Sequence, residues 1–213
     1  MKNYIFNDKK IVIASHNIGK VEEIKIMLKS LKVDVLSAID FNLTEPIEDG
    51  LSFEENALIK SSFVSKNTGI ASLSDDSGIC FCDLDNEPGV YSARWAGKGK
   101  DFNLAMSKIY DSIKNVKNPN YKCFFVCALS LSWPNGRNIT VSDKIDGRFS
   151  WPPKGNNGFG YDPIFKPFGY EQTFAEMDPQ FKHSIRHRAL AFKKLKSLCF
   201  PSLENWLIKN KIY

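Results

Sequence analysis

Four apolar residues in a row, Ile11-Val12-Ile13-Ala14, run into the polar stretch Ser15-His16-Asn17-Ile18-Gly19-Lys20, after which Val21, Ile24, Leu28 and Leu31 recur at helical spacing. Strand, polar turn and amphipathic helix form the opening of an α/β unit, in which a helix must cover a strand. The remaining pattern fits that beginning. Residues 33–36 predict a second strand. Ser52-Phe53-Glu54-Glu55 is a capping box, with Phe53, Ala57, Ser61 and Val64 on the inner face of its helix and Gly69 ending it. Residues 71–74 and 79–82 predict strands on either side of Asp75-Asp76-Ser77-Gly78. Asp101 caps a helix that turns Phe102, Met106, Ile109 and Ile113 inward. A long β-rich run over 122–133 turns at Pro134-Asn135-Gly136 into a partner at 138–145. Helices are predicted at 184–198, with Ser184 as cap, and at 202–209. With no repeat and no linker, residues 1–213 predict one α/β domain with parallel and antiparallel pairing.

Composition narrows the class. Apolar residues at 43% and charged residues at 25% are those of a globular chain. No apolar run reaches the roughly 18–20 residues of a membrane span, and Met1-Lys2-Asn3-Tyr4 does not open a signal peptide, so a cytoplasmic protein with no membrane partner is expected. Five cysteines without a C-x-x-C pair argue for buried thiols on strands rather than a zinc site or a disulfide framework. The net charge of +5 is uneven: residues 182–213 carry eight Lys/Arg and one acid, residues 34–59 seven acids and no Lys/Arg. The two could meet a metal-bound polyphosphate from two sides, or both be solvated faces.

Four segments could carry chemistry, and each has a plain structural alternative. The turn over residues 15–20 would present free N–H groups and the positive end of a helix dipole to a phosphate, with Lys20 one turn in; otherwise it is an ordinary capped helix. It is not a G-x-x-x-x-G-K-[ST] loop. Asp75 and Asp76 are adjacent carboxylates that stay ionised most easily beside a cation and suit a hard metal at a strand end; otherwise they form an Asx turn. Gly155-Asn156-Asn157-Gly158-Phe159-Gly160-Tyr161-Asp162-Pro163 would offer Phe159 as a flat face to a base, unless Phe159 anchors the loop to the core. Lys182, His187 and Arg188 gather cationic donors, or lie on a charged helix surface.

The order of these segments, with Pro88-Gly89-Val90-Tyr91-Ser92-Ala93-Arg94, Gly158-Phe159-Gly160-Tyr161-Asp162-Pro163-Ile164-Phe165 and His187-Arg188-Ala189-Leu190 in their places, resembles the inosine triphosphate pyrophosphatase family, also called dITP/XTP pyrophosphatases. The likeness runs from about Ile11 to Leu195. It implies an elongated two-lobed α/β fold around a long mixed sheet, a homodimer, and an Mg²⁺-dependent enzyme that cuts ITP, dITP and XTP to monophosphate and pyrophosphate. Residue by residue, it implies that Ser15, His16, Asn17, Ile18, Gly19 and Lys20 hold the triphosphate. It makes Glu48 and Asp76 the metal ligands, with Asp76 also the catalytic acid–base. Ser77, Phe159, Gly160, Tyr161, Asp162, Lys182, His187 and Arg188 then contact the nucleotide. The chain departs from the family pattern at His16, where a glycine is usual, and at Arg186, where a serine is usual.

Three readings compete with it. A broad nucleoside triphosphate pyrophosphatase would not prefer deaminated purines. A nucleic-acid binder would use the basic C-terminal stretch and needs no Asp-Asp pair. A Nudix hydrolase lacks its R-E-x-x-E-E run here.

Overall fold

The computed structural model describes residues 4–31 and 33–200, so the helix expected at 202–209 lies outside the described residues. The α/β expectation holds. Six strands form one mixed sheet in the order β2-β1-β3-β4-β5-β6: β1 (Lys10–Ile13), β2 (Asp34–Ser37), β3 (Ser72–Phe81), β4 (Lys122–Ser132), β5 (Asn138–Phe149) and β6 (Phe165–Pro167). β1 runs parallel to β2 and β3, whereas β6 is antiparallel to β5. The helices are α1 (Ile18–Leu28), α2 (Phe53–Thr68), α3 (Ser92–Trp95), α4 (Phe102–Ile113), α5 (Pro179–Ile185) and α6 (His187–Cys199).

The chain divides into two compact units, the first made of Met1–Asp76, Ala128–Ser142 and Ala191–Tyr213, the second of Ser77–Cys127 and Asp143–Leu190. In the first, Ile11, Val12 and Ile13 are fully buried, as an all-apolar central strand requires. Val21, Ile24 and Leu28 of α1 are buried at the predicted spacing. α2 is different. Ser61 Oγ lies 3.0 Å from Ser130 Oγ and 2.8 Å from Ser132 Oγ on β4, so hydroxyls share this buried face with Ala57 and Val64. Phe53 is only half-buried. The Ser52 cap is present, its side chain accepting from Glu55 N, but the Glu55 carboxylate turns to Leu51 N rather than to the cap's own amide. Gly69 ends the helix in the left-handed conformation, φ 68°.

The second unit has an aromatic core. Phe125 lies edge-on to Phe165, centroids 4.8 Å apart, and Phe165 lies 4.9 Å from Phe174. Ala105, Met106, Ile109 and Ile113 of α4 complete it under the cap of Asp101, which accepts from Leu104 N.

Three expectations are corrected. Residues 75–78 do not turn between two strands: β3 runs unbroken through them, because burial on the sheet holds Asp75 and Asp76 in extended backbone. Ser184 does not cap a helix over 184–198: Asp178 caps α5, accepting from Phe181 N, and Ser184 lies inside α5. The helix breaks at Arg186, whose ψ of 159° is extended, and restarts at His187. The cysteines are free, but Cys82 leaves β3 for a 3-10 turn and is exposed, and Cys199 lies on α6. Among the described residues no helix is long and apolar enough to cross a membrane.

Burial pushes the Cys80 and Cys199 thiols up to about 12 and raises Cys123 well above its ordinary value. Thiolate is the reactive form. A thiol reagent at pH 8 is therefore expected to modify one cysteine rapidly in the native protein, and Cys82→Ser to remove that phase. Two or more rapid thiols would contradict the burial of the other four.

Candidate active site

In the first unit the site begins where β1 ends. Asn17 caps α1, its Oδ1 accepting from Lys20 N at 3.2 Å, and Ser15 Oγ accepts from Asn17 N at 3.2 Å. The turn over residues 15–20 thus delivers a capped helix N-terminus with Ile18 open to solvent. The His16 ring points to another segment, its Nε2 lying 2.7 Å from Leu43 O and its Nδ1 3.4 Å from Glu45 Oε1.

Asp75 and Asp76 are neighbours on a strand, so their side chains project to opposite sides. They are not a pair around one cation, as a strand-end reading suggested. Each has its own ammonium. Lys20 Nζ, from the first turn of α1, is 2.6 Å from Asp75 Oδ1, and the Asp75 carboxylate is fully buried. Lys60 Nζ, from α2, lies 2.8 Å from Asp76 Oδ1 and 3.1 Å from Glu48 Oε1. One ammonium thus joins the two carboxylates expected to hold metal.

Burial raises the Asp76 carboxyl above its usual range; the Lys60 and Lys20 charges oppose that and Glu48 adds to it. Burial alone would lower Lys60, but Asp76 and Glu48 outweigh it, and the ammonium is held above its ordinary value.

Lys60 is the main residue that reading the sequence missed. It stands four residues after Asn56 on α2, hence on the same helix face, and a lysine on an inward-facing stripe was the available signal. Asn56 was missed as well. It is 1% exposed, and its Oδ1 accepts from Gly50 N at 2.9 Å, just beyond Glu48. A Cβ at Gly50 would meet Asn56 Oδ1 and Glu55 Cβ at 2.7 Å, so glycine lets this backbone close on α2.

In the second unit, Gly158 has φ +85°, and a Cβ there would run into Asp162 Oδ2 and Lys182 Nζ. Those two atoms are 3.0 Å apart, both side chains are buried, and Asp162 Oδ2 also accepts from Phe159 N at 2.9 Å. The loop is folded around this buried pair. Tyr161 is inside, its hydroxyl donating to Ser92 O at 2.8 Å. Burial raises that phenol above its ordinary value. Phe159, by contrast, is 44% exposed, with the Arg186 guanidinium 5.6 Å from its centroid, so it is not a core anchor.

Lys182, Arg186, His187 and Arg188 are all buried, which corrects the alternative that Lys182, His187 and Arg188 lie on a charged helix surface. His187 stacks on Phe125, centroids 4.9 Å apart and planes within 10°. Arg188 Nη2 donates to Ser77 Oγ at 3.0 Å. Ser77 follows Asp76 directly in the chain, so β3 carries the last residue of one cluster and the first of the other.

Among the described residues no three His, Cys, Asp or Glu side chains form a metal-holding group. The donor set still suits a hard cation. Glu48 and Asp76 are carboxylates, and both already converge on one positive group, the Lys60 ammonium.

Fold and site together define the class: a mixed-sheet α/β protein whose central strand carries buried carboxylates, each answered by a lysine from a helix. The chain belongs to the Ham1 family, whose model matches residues 11–198. It is 45% identical over 191 residues to the dITP/XTP pyrophosphatase of Zymomonas mobilis, covering 89% of this chain and 91% of that protein. With the dITP/XTP pyrophosphatase of Caulobacter vibrioides it shares 43% over 90% of this chain and 98% of that one. The structure of a HAM1 protein from Coxiella burnetii matches with a TM-score of 0.84 at 33% identity, covering 89% of this chain and 98% of that chain.

Replacing Lys60 by methionine leaves two carboxylates without their shared cation. We expect Lys60→Met to lose about 2–3 kcal/mol of stability in metal-free buffer, or several degrees in Tm. A raised lysine stabilises fully below its unfolded value of 10.5 and loses that contribution as pH climbs through the higher folded one. The gap to wild type should therefore hold through neutral pH, narrow in strong alkali as Lys60 loses its proton, and narrow in acid once the raised Asp76 carboxyl takes one up. Thermal unfolding with a chelator present checks both; an unchanged Tm would show that the cluster is well solvated.

Proposed function

We propose that the chain hydrolyses non-canonical purine nucleoside triphosphates, ITP, dITP and XTP, to the monophosphate and pyrophosphate, with Mg²⁺ as cofactor and as a homodimer. The observation that carries this reading is the Glu48–Lys60–Asp76 array on β3 and its neighbours, set in a family whose similar members are named dITP/XTP pyrophosphatases. It is the charge arrangement that a polyphosphate with a divalent cation needs.

Glu48 and Asp76 would hold the cation, which when bound neutralises phosphate oxygens and makes a nearby water more acidic. The chain's own residues do the rest. The N–H groups of residues 15–20 other than those of Asn17 and Lys20, which Ser15 Oγ and Asn17 Oδ1 accept, bind phosphate oxygens at the N-terminus of α1. Lys20, held by Asp75, adds positive charge at that turn. A water attacks the α-phosphorus, its oxygen forms the new P–O bond, and its proton passes to Asp76. The bond from the α-phosphorus to the bridging oxygen breaks, and pyrophosphate departs with that oxygen. Burial, which raises the Asp76 carboxyl, makes it a better proton acceptor than an ordinary aspartate.

In the second unit the open face of Phe159 stacks on the base. Asp162, Lys182 and Tyr161 act by shaping the loop, since each is committed to an internal partner. Discrimination rests on donors. A 6-oxo purine presents an acceptor where adenine presents an amino donor, and Arg188, His187 and the loop N–H groups supply donors; Phe159 N is already assigned to Asp162 and Arg188 Nη2 to Ser77. Adenine would leave such donors unpaired, at about 1–3 kcal/mol each.

Pyrophosphate release from ITP, dITP, XTP, GTP and ATP, with and without Mg²⁺, tests the reading. Two unmet donors predict kcat/KM for ITP above that for ATP by about a hundredfold. ATP within tenfold of ITP would install a broad-specificity pyrophosphatase instead. Asp76→Asn should lose a factor of about a hundred or more in kcat. Phe159→Ala should raise KM about tenfold, alike for every base, because stacking does not read the base edge; an unchanged KM would remove Phe159 from the site.

A further inference from the structure

His16 stands where the family pattern has glycine, and its ring does not lie idle. A backbone carbonyl only accepts hydrogen bonds, so the 2.7 Å contact to Leu43 O makes Nε2 the protonated nitrogen. The other nitrogen, Nδ1, lies 3.4 Å from Glu45 Oε1, an ion pair when the ring is doubly protonated. Both nitrogens thus address one segment, 27 residues and more away in sequence. That segment, residues 42–52, has no regular structure and carries Glu48.

Its far end is well held. Asn56 Oδ1 accepts from Gly50 N at 2.9 Å, Glu55 Oε2 accepts from Leu51 N at 2.7 Å, and Gly50 is packed against α2 without room for a Cβ. At its near end Leu43 N donates to Ala38 O at a long 3.3 Å, and Leu43 O takes the short bond from His16. Glu48 lies five residues beyond Leu43, between these two anchors, with its carboxylate on Lys60.

We propose that His16 is a positioning residue: its ring ties the Glu48-bearing segment to the turn over residues 15–20, so that the acid and the phosphate-facing N–H groups are set together by one side chain. The tie joins the turn ahead of α1 to the loop before α2, past the Ile13–Ser37 end of the β1–β2 ladder. A glycine at this position offers the same backbone N–H to an anion but no such tie. That Glu48 is a cation ligand rests on the function proposed above; that His16 holds its segment does not.

The test uses the whole protein and two variants. His16→Ala removes the ring without adding glycine's backbone freedom, and His16→Gln keeps an N–H donor for Leu43 O. In metal-free, nucleotide-free protein, hydrogen exchange at Leu43, whose N–H is bonded to Ala38 O, should quicken about tenfold in His16→Ala and stay near wild type in His16→Gln. Equal exchange in His16→Ala and wild type would overturn the tie. Mn²⁺ binding without nucleotide, followed by electron paramagnetic resonance, should weaken at least about threefold in His16→Ala, with recovery in His16→Gln. Faster exchange with unchanged Mn²⁺ affinity would overturn the link to the cation site. A wild type that binds no Mn²⁺ would sink Glu48 as a ligand, and the exchange comparison would then decide the tie by itself.

Discussion

A carboxylate taken out of water must meet positive charge or a proton, and two consecutive carboxylates in the middle of a sheet must do so on both of its sides. Asp75 and Asp76 impose that demand on the first unit. Lys20 answers Asp75 from the first turn of α1, and Lys60 answers Asp76 from the second turn of α2. Both helices are therefore placed by charge as well as by apolar contact, and α2 in particular keeps a buried face made partly of serine hydroxyls. The same demand draws in Glu48. Its segment has no secondary structure to hold it, so Asn56, Glu55 and His16 tie it down with side chains.

The second unit meets a similar demand differently. Lys182 and Asp162 form a buried pair, and the glycine-rich loop is wrapped about it, with Gly158 in a conformation and a space that leave no room for a side chain. Arg188 is buried against Ser77, and His187 against the Phe125 ring. A buried pair is costly to break and weakly stabilising to keep, so its value lies in fixing one loop conformation. The outcome is that Phe159 turns its ring outward while Tyr161, two residues on, is buried. Arg186, at the break between α5 and α6, stands 5.6 Å from that ring, which gives this departure from the family pattern a definite neighbour.

Much of this was legible in the residues by themselves. The apolar run of β1, the helical spacing of Val21, Ile24 and Leu28, the caps at Ser52 and Asp101 and the turn at residues 134–136 are local patterns, decided by neighbours a few positions apart. The order of the short segments from Ser15 to Arg188 pointed to the family, because those residue types in that series suit phosphate, cation and base. Tertiary structure alone decided what required distant partners. Whether Asp75 and Asp76 turned or ran straight depended on lysines 55 and 16 residues away, which no local propensity reports. Whether Lys182, His187 and Arg188 were wet or buried depended on Asp162, Phe125 and Ser77, and the helix start at Ser184 was displaced because Asp178 supplied the better cap. The roles of Lys60, Asn56 and the His16 ring belong to the same kind: a sequence names the donors and acceptors, and only the fold chooses which of them come within hydrogen-bonding distance.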